Sequence, residues 1–357
     1  MSQNRIRVRI RSLINNMKRR VKMKKILALI LCFGILAAFS ACGSEPATES
    51  PDAAPASDAP ASEAPTSEPA KETYTFAFLS NTLNNTFQST MSDTFQRLCD
   101  ENGYNYVFFD PDYDVNLQLS QMEDVANQQV DAVFLIPTDS AGVRLGLEAI
   151  NSKGIPVLNV DTPVIDEDLE LVETVIATDA YQAGVLVGEA MAEKYPDGGK
   201  IAILDLPENE SCVDRVNGFL AGLGDNADKF EIVAQQNGMG SLDVSLPLAE
   251  DIIQANPDLL AFFCINDPSG LGAVAALKAA NKEGVGVFCI DASPDGKAAL
   301  VDGEITGLSA QCPIVIAETA FDRALKLLAG EEIEEEILVP SYIVTVEMAE
   351  ETAGQWQ

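Results

Sequence analysis

From Tyr74 onward, short runs of apolar, β-favouring residues alternate with longer segments whose apolar positions recur at helical spacing. The runs YTFAFLS, YNYVFFD, DAVFLI and IPVLNV read as strands, and the segments near 86–102, 114–129 and 139–153 read as the helices between them. A second series follows: TVIAT, GKIAILDL, FEIVAQQ, LLAFFCI, VGVFCI and EITGLSA, with helices near 179–194, 212–223, 241–255, 268–282 and 294–302. Strands this continuously apolar are buried on both faces, which predicts parallel sheets covered by helices. Some ten strands exceed what one such domain comfortably holds, so the pattern predicts an α/β protein of two similar doubly wound lobes. In that architecture the functional groups gather outside the carboxyl ends of the strands.

Ahead of this body the pattern changes twice. Met23-Lys24-Lys25 opens an apolar run, ILALILCFGILAAFSA, that ends in small residues at Cys42, and residues 1–41 read as a basic leader and a signal peptide. Met17 or Met23 is then the expected start, with RIRVRIR and KRRVK upstream of it. Phe39-Ser40-Ala41-Cys42 resembles a bacterial lipobox, in which the cysteine is diacylated and becomes the mature N-terminus. From Gly43 to Ala70 the chain is almost wholly Ser, Pro, Ala and acidic residues with nothing to bury, so residues 42–73 read as a lipidated cysteine and an extended, solvated tether. The expected location is outside the cytoplasm, on the outer face of the cell membrane, held there by the lipid alone.

Charge narrows the function classes. Ten of the 23 Lys and Arg precede Ile26, whereas the first of the 55 Asp and Glu is Glu45, so 13 basic residues face all 55 acidic ones beyond the leader. Such a surface repels a phosphate backbone, and nucleic acid is not an expected partner. The chain has no histidine, which removes a His general base and a His metal ligand. Its seven cysteines, at 32, 42, 99, 212, 264, 289 and 312, form no CxxC pair; Cys264 and Cys289 lie in apolar runs and read as small buried hydrophobes. No metal site or cofactor is expected.

The residues just after the strands are polar: Asn81 and Asn85, Asp110, and Asp161 in the first half, then Asn266-Asp267, Asp291 and Gln311. Each alone fits a helix N-cap. As a set, with an Arg and an aromatic nearby, they are what a polyol requires: carboxylates accept two hydroxyls, Arg donates two, and an aromatic face covers the apolar side of a ring.

Seven stretches in order carry a family resemblance: Thr82-Leu83-Asn84-Asn85, IPTDS at 136–140, IPVLNVD at 155–161, Asp214-Arg215 with Gly218-Phe219, IND at 265–267 before LGAVAALKAA, IDASPDG at 290–296 and SAQ at 309–311. Over residues 74–346 the chain resembles the ribose-binding protein family of periplasmic type I sugar-binding proteins. The resemblance implies two lobes joined by a three-segment hinge, 74–178 plus 312–340 and 179–311 plus 341–350, with crossovers near Thr178, Gln311 and Pro340. It implies a monomer that closes on a small neutral sugar or polyol and delivers it to an ABC permease and ATPase complex. The family's ligand contacts fall on Asn81, Asn85, Phe87, Asp161, Arg215, Asn266, Asp291 and Gln311. Two positions depart from the ribose binders: Gln88 replaces a second aromatic and Thr162 replaces an Arg. Gly238-Met239-Gly240 also stands where a further stacking aromatic is expected.

Other readings share parts of this pattern. A sugar-responsive repressor has the same body but requires a basic helix-turn-helix in place of the lipobox and acidic tether. An enzyme would use Asp161 and Asp291 as acid and base, yet the chain has no His, nucleophile motif or Gly-rich phosphate loop beside them. The same fold also serves as a sensor or as a receptor for a signalling molecule.

Overall fold

The computed structural model describes residues 73–356; the leader, Cys42 and the tether up to residue 72 lie outside them. The chain opens as β1 (Thr75–Leu79), α1 (Thr86–Asn102), β2 (Asn105–Phe109), α2 (Val115–Ala126), β3 (Ala132–Leu135), α3 (Arg144–Asn151), β4 (Val157–Val160) and β5 (Thr174–Thr178). It continues as α4 (Ala180–Lys194), β6 (Gly199–Asp205), α5 (Glu210–Gly222), β7 (Phe230–Asn237), α6 (Leu242–Ala255), β8 (Leu259–Cys264), α7 (Asp267–Ala279), β9 (Gly286–Asp291), α8 (Pro294–Val301) and β10 (Gly307–Ala310). It ends with α9 (Pro313–Leu328), β11 (Glu336–Val339) and α10 (Val346–Glu351). Eleven strands form two sheets, ordered β11-β5-β4-β3-β1-β2 and β10-β9-β8-β6-β7, with every neighbouring pair parallel.

The continuous apolar strands do what their composition requires. In β1, Phe76 and Phe78 enter one core with α1 and α9, while Ala77 and Leu79 enter another with α2 and α3 on the opposite face. In β6, Ala202 and Leu204 face α6 and α7, and Ile201 and Ile203 face α4 and α5. An aromatic stack stiffens each lobe: Phe95 on Phe134, and Phe219 on Phe263, both with ring centroids 4.1 Å apart.

Four elements differ from the sequence pattern. TVIAT heads the second apolar series but pairs between β4 and β11 in the first sheet; apolar rhythm marks a strand without saying which sheet it joins. YNYVFFD is an edge strand with Phe108 exposed, because only one side of it finds a neighbour. The pattern also passed over β11 and α9, which return the chain to the first sheet and its core.

The chain crosses between the sheets three times: from β5 into α4, from β10 into α9, and beyond β11. The crossings brace one another. Asp179 N donates to Val339 O at 2.9 Å, Ala310 N to Tyr342 O at 2.8 Å and Val344 N to Leu308 O at 2.9 Å, and Tyr342 packs on the cores of both lobes.

Candidate functional site

The carboxyl ends of both sheets face one cleft of about 400 Å³, its open mouth included. The first lobe contributes Asn81, Asn85, Phe87 and Gln88 from beyond β1, Tyr113 from beyond β2, and Asp161 and Thr162 from beyond β4. The second contributes Leu206, Asn209, Cys212 and Arg215 around the start of α5, then Gly240, Ile265, Asn266 and Asp291, with Gln311 at a crossover. The eight ligand contacts that the resemblance implied, and the two departing positions Gln88 and Thr162, all line this one cleft. Asp110 and Asp267 do not: Asp110 accepts from Asp112 N in its own turn, and Asp267 is fully buried behind Asp291.

Local backbone chemistry fixes most of these side chains. Asn85 caps α1 by accepting from Phe87 N at 2.9 Å, and Asn266 caps α7 by accepting from Ser269 N at 3.0 Å while donating to Gly240 O at 3.0 Å. The capping reading and the cleft reading therefore both hold for these two. Strain accompanies the carboxylates: Asp161 has φ 60°, Asp291 has φ 141° and Ala292 has φ 62°, conformations that turn each strand end abruptly and cost an L residue energy.

Arg215 is placed by two helices that touch through glycines. A Cβ on Gly184 of α4 would lie 2.1 Å from Arg215 O, and one on Gly218 of α5 would lie 2.0 Å from Tyr181 O, so only glycine allows this approach. Arg215 Nη1 donates to Ile265 O at 2.8 Å and stands 3.8 Å from Asp291 Oδ1. Asp291 accepts from Gln311 Nε2 at 2.6 Å and from Asp267 N at 3.2 Å.

Burial governs the electrostatics. It pushes the Asp161 carboxyl up, with Arg215 and the Thr162 hydroxyl pulling it down. Asp291 is likewise pushed up, by burial first and by the carboxylate of Asp267 second, against the pull of Arg215. The Cys212 thiol and the Tyr113 phenol are pushed up to about 12, so both stay protonated near neutrality. Three buried polar atoms of the lining, Gln88 Oε1, Gln311 Oε1 and Arg215 Nε, have no hydrogen-bond partner among the described residues. Each such group costs about 1–3 kcal/mol unless something in the cleft pairs with it. Two acceptors and a donor of this kind, beside two carboxyls and the Phe87 ring, can bind a molecule that both donates and accepts.

The lobes meet at the rim of the cleft. Ser140 N donates to Glu208 O at 3.3 Å, Glu210 N to Ser140 Oγ at 3.2 Å, Asn209 Nδ2 to Thr162 Oγ1 at 2.9 Å and Ser211 Oγ to Asp161 O at 3.1 Å. Tyr113, Asn209, Leu206 and Cys212 were missed in the sequence. Tyr113 lies in a turn where Asp112 and Tyr113 both have positive φ, and the other three surround a helix start whose polar residues read as a cap. Among the described residues no cluster of His, Cys, Asp or Glu is arranged to hold a metal ion, and no helix is long and apolar enough to cross a membrane.

A family model described as a periplasmic binding protein domain matches residues 76–332. The ribose import binding protein of Bacillus subtilis is 28% identical over 324 residues, covering 90% of this chain and 99% of that protein. The ribose import binding protein of Salmonella typhimurium is 31% identical over 261 residues, 73% of this chain and 86% of that protein. A crystal structure from Mycobacterium smegmatis in complex with β-D-fucofuranose superposes with a TM-score of 0.74 at 26% identity, covering 78% of this chain and 93% of the other.

Proposed function

The chain belongs to the periplasmic binding protein domain family, and from that membership we propose that it is the extracytoplasmic solute-binding subunit of a sugar-type ABC importer. It is a binding protein and not an enzyme. Its ligand is a small neutral sugar or polyol, held between the lobes and handed to the permease and ATPase of the importer. The observation that supports this most directly is the mixture in the cleft of unpartnered donors and acceptors with two carboxyls and the aromatic rings of Phe87 and Tyr113. A phosphorylated sugar would carry its negative charge into a cleft where burial already disfavours the charged forms of Asp161 and Asp291 and where Arg215 is the one basic side chain of the lining.

The finer features complete the reading. Asn81, Asn85, Phe87, Gln88, Asp161 and Thr162 take one side of the ligand, and Arg215, Asn266, Asp291 and Gln311 take the other. The lobes, 74–178 plus 312–340 and 179–311 plus 341–350, swing about the three crossings as a monomer, and a diacylated Cys42 holds the protein to the membrane.

Calorimetric titration with D-ribose and a panel of neutral pentoses, hexoses and polyols tests the binding claim. At least one should bind and raise the melting temperature as mass action requires. A sugar phosphate bound more tightly than every neutral compound, or turnover of any of them, would overturn it. Mass spectrometry of the membrane-extracted protein, showing an acylated N-terminus at Cys42, tests the anchor.

A further inference from the structure

The last helix, α10, packs on α8 in the second lobe, with Ala349 in that lobe's core. The residues after it do not stay there. Lys297 of α8 is 1% exposed, and its Nζ donates to Thr352 O at 2.8 Å, Thr352 Oγ1 at 2.9 Å and Gln355 O at 2.6 Å. Burial lowers the pKa of this amine, and the three oxygens are what it gains in place of water. One residue further on, Trp356 leaves the second lobe and packs on the core of the first. Its ring stands edge-on to Phe87, with centroids 5.6 Å apart and planes at 81°.

Phe87 lines the cleft beside Gln88 on the first lobe, with Tyr113 as the other aromatic of the lining. Phe87 keeps its place through what packs against it, and Trp356 packs against its ring in the edge-to-face geometry that aromatic pairs favour. Gln355 and Trp356 are adjacent, so about 3.8 Å of backbone separates a point fixed to the second lobe from a ring fixed on the first. There is no slack, and a substantial displacement of Phe87 away from Lys297 releases one end or the other.

Building on the sugar-binding reading, we propose that Thr352–Trp356 is a strap between the lobes and that Trp356 is a positioning residue, keeping the Phe87 ring where it covers a bound sugar. Trp356 is the chain's one tryptophan, so selective excitation reports on it alone. In the ligand-free full chain, Phe87→Ala and Lys297→Met should each shift its emission to the red. Trp356→Ala should raise the Kd for D-ribose, or for whichever panel sugar the parent binds, about three- to tenfold, as expected for one aromatic pair. Trp356→Phe should restore it to within about twofold, and the ligand-free melting temperature of Trp356→Ala should fall by only the few degrees that one aromatic pair contributes. Parental emission from Lys297→Met would overturn the strap, and parental affinity of Trp356→Ala would overturn the positioning role. A parent that binds no sugar at all sinks the proposed function and the positioning role together, while the emission of Lys297→Met still decides whether the strap exists.

Discussion

Arg215 and Asp291, both buried, stop 3.8 Å apart, just short of a direct hydrogen bond. Each is held back by another partner: Arg215 Nη1 by the carbonyl of Ile265, and Asp291 Oδ1 by the amide of Gln311. A buried pair left at this separation gains little from itself, and Arg215 Nε has no partner among the described residues. A hydroxyl that accepts from Arg215 and donates to Asp291 completes both.

Asp291→Ala is therefore expected to weaken sugar binding by about ten- to a hundredfold, since a charge-assisted hydrogen bond contributes roughly 1.5–3 kcal/mol. The ligand-free melting temperature should change by only a few degrees, because the loss of a carboxyl that burial disfavours in its charged form is set against the acceptors lost to Gln311 Nε2 and Asp267 N. Calorimetry and melting on the same protein separate the two effects. Early melting with parental affinity would make Asp291 structural.

The raised carboxyls also set a pH dependence. Burial holds the folded pKa of Asp161, Asp267 and Asp291 above the unfolded value of about 4. From there up through the folded values, the native state binds more protons than the unfolded one, so stability falls as pH rises. The slope is at most about 1.4 kcal/mol per pH unit for each group. The ligand-free protein should melt higher at pH 5 than at pH 8, and Asp291→Asn should flatten the curve. If the variant's curve runs parallel to the parent's, the slope belongs to the acidic surface instead.

Much of this was legible because strand ends announce themselves: a run such as LLAFFCI followed by Asn266-Asp267 leaves no doubt where the sheet stops and the polar residues begin. Which polar residue faces the cleft was less legible from the strand ends themselves, where Asp267 and Asp291 read alike; the resemblance separated them, and the packing places Asp267 behind Asp291. Tyr113 and Asn209 lie in loops, where no periodicity points a side chain anywhere. Trp356 follows the last strand and helix, and its contact with Phe87 spans nearly the whole body in sequence. The sheet joined by TVIAT depended on β11, a partner more than 150 residues later that the apolar pattern did not mark.

The glycine contacts of α4 and α5 predict a stability cost that carries into the site. Gly218→Ala places a methyl about 2.0 Å from the Tyr181 carbonyl, which belongs to the backbone and cannot rotate away. The helices must separate, at an expected cost of about 1–3 kcal/mol, and Arg215 moves with α5. Denaturant unfolding should show the loss, and sugar affinity should fall with it. Parental stability would mean that α4 and α5 tolerate a wider spacing than this packing requires.

Asn209 tests the rim separately from the ligand contacts. Its Oδ1 caps α5 by accepting from Cys212 N at 3.1 Å, while its Nδ2 crosses to Thr162 Oγ1 at 2.9 Å, so one side chain both starts a helix and joins the lobes. Asn209→Ser keeps a capping oxygen but is too short to cross, which removes the bridge and leaves the cap. A neutral hydrogen bond of this kind contributes about 1 kcal/mol, so the dissociation constant should rise about fivefold. The change should lie in the rate of release, because the bond exists only once the lobes have met. Stopped-flow release of bound sugar and the ligand-free melting temperature decide the matter together: faster release at constant melting temperature is expected. Slower association at unchanged release would place the role of Asn209 before closure, and a drop in melting temperature alone would reduce it to a cap.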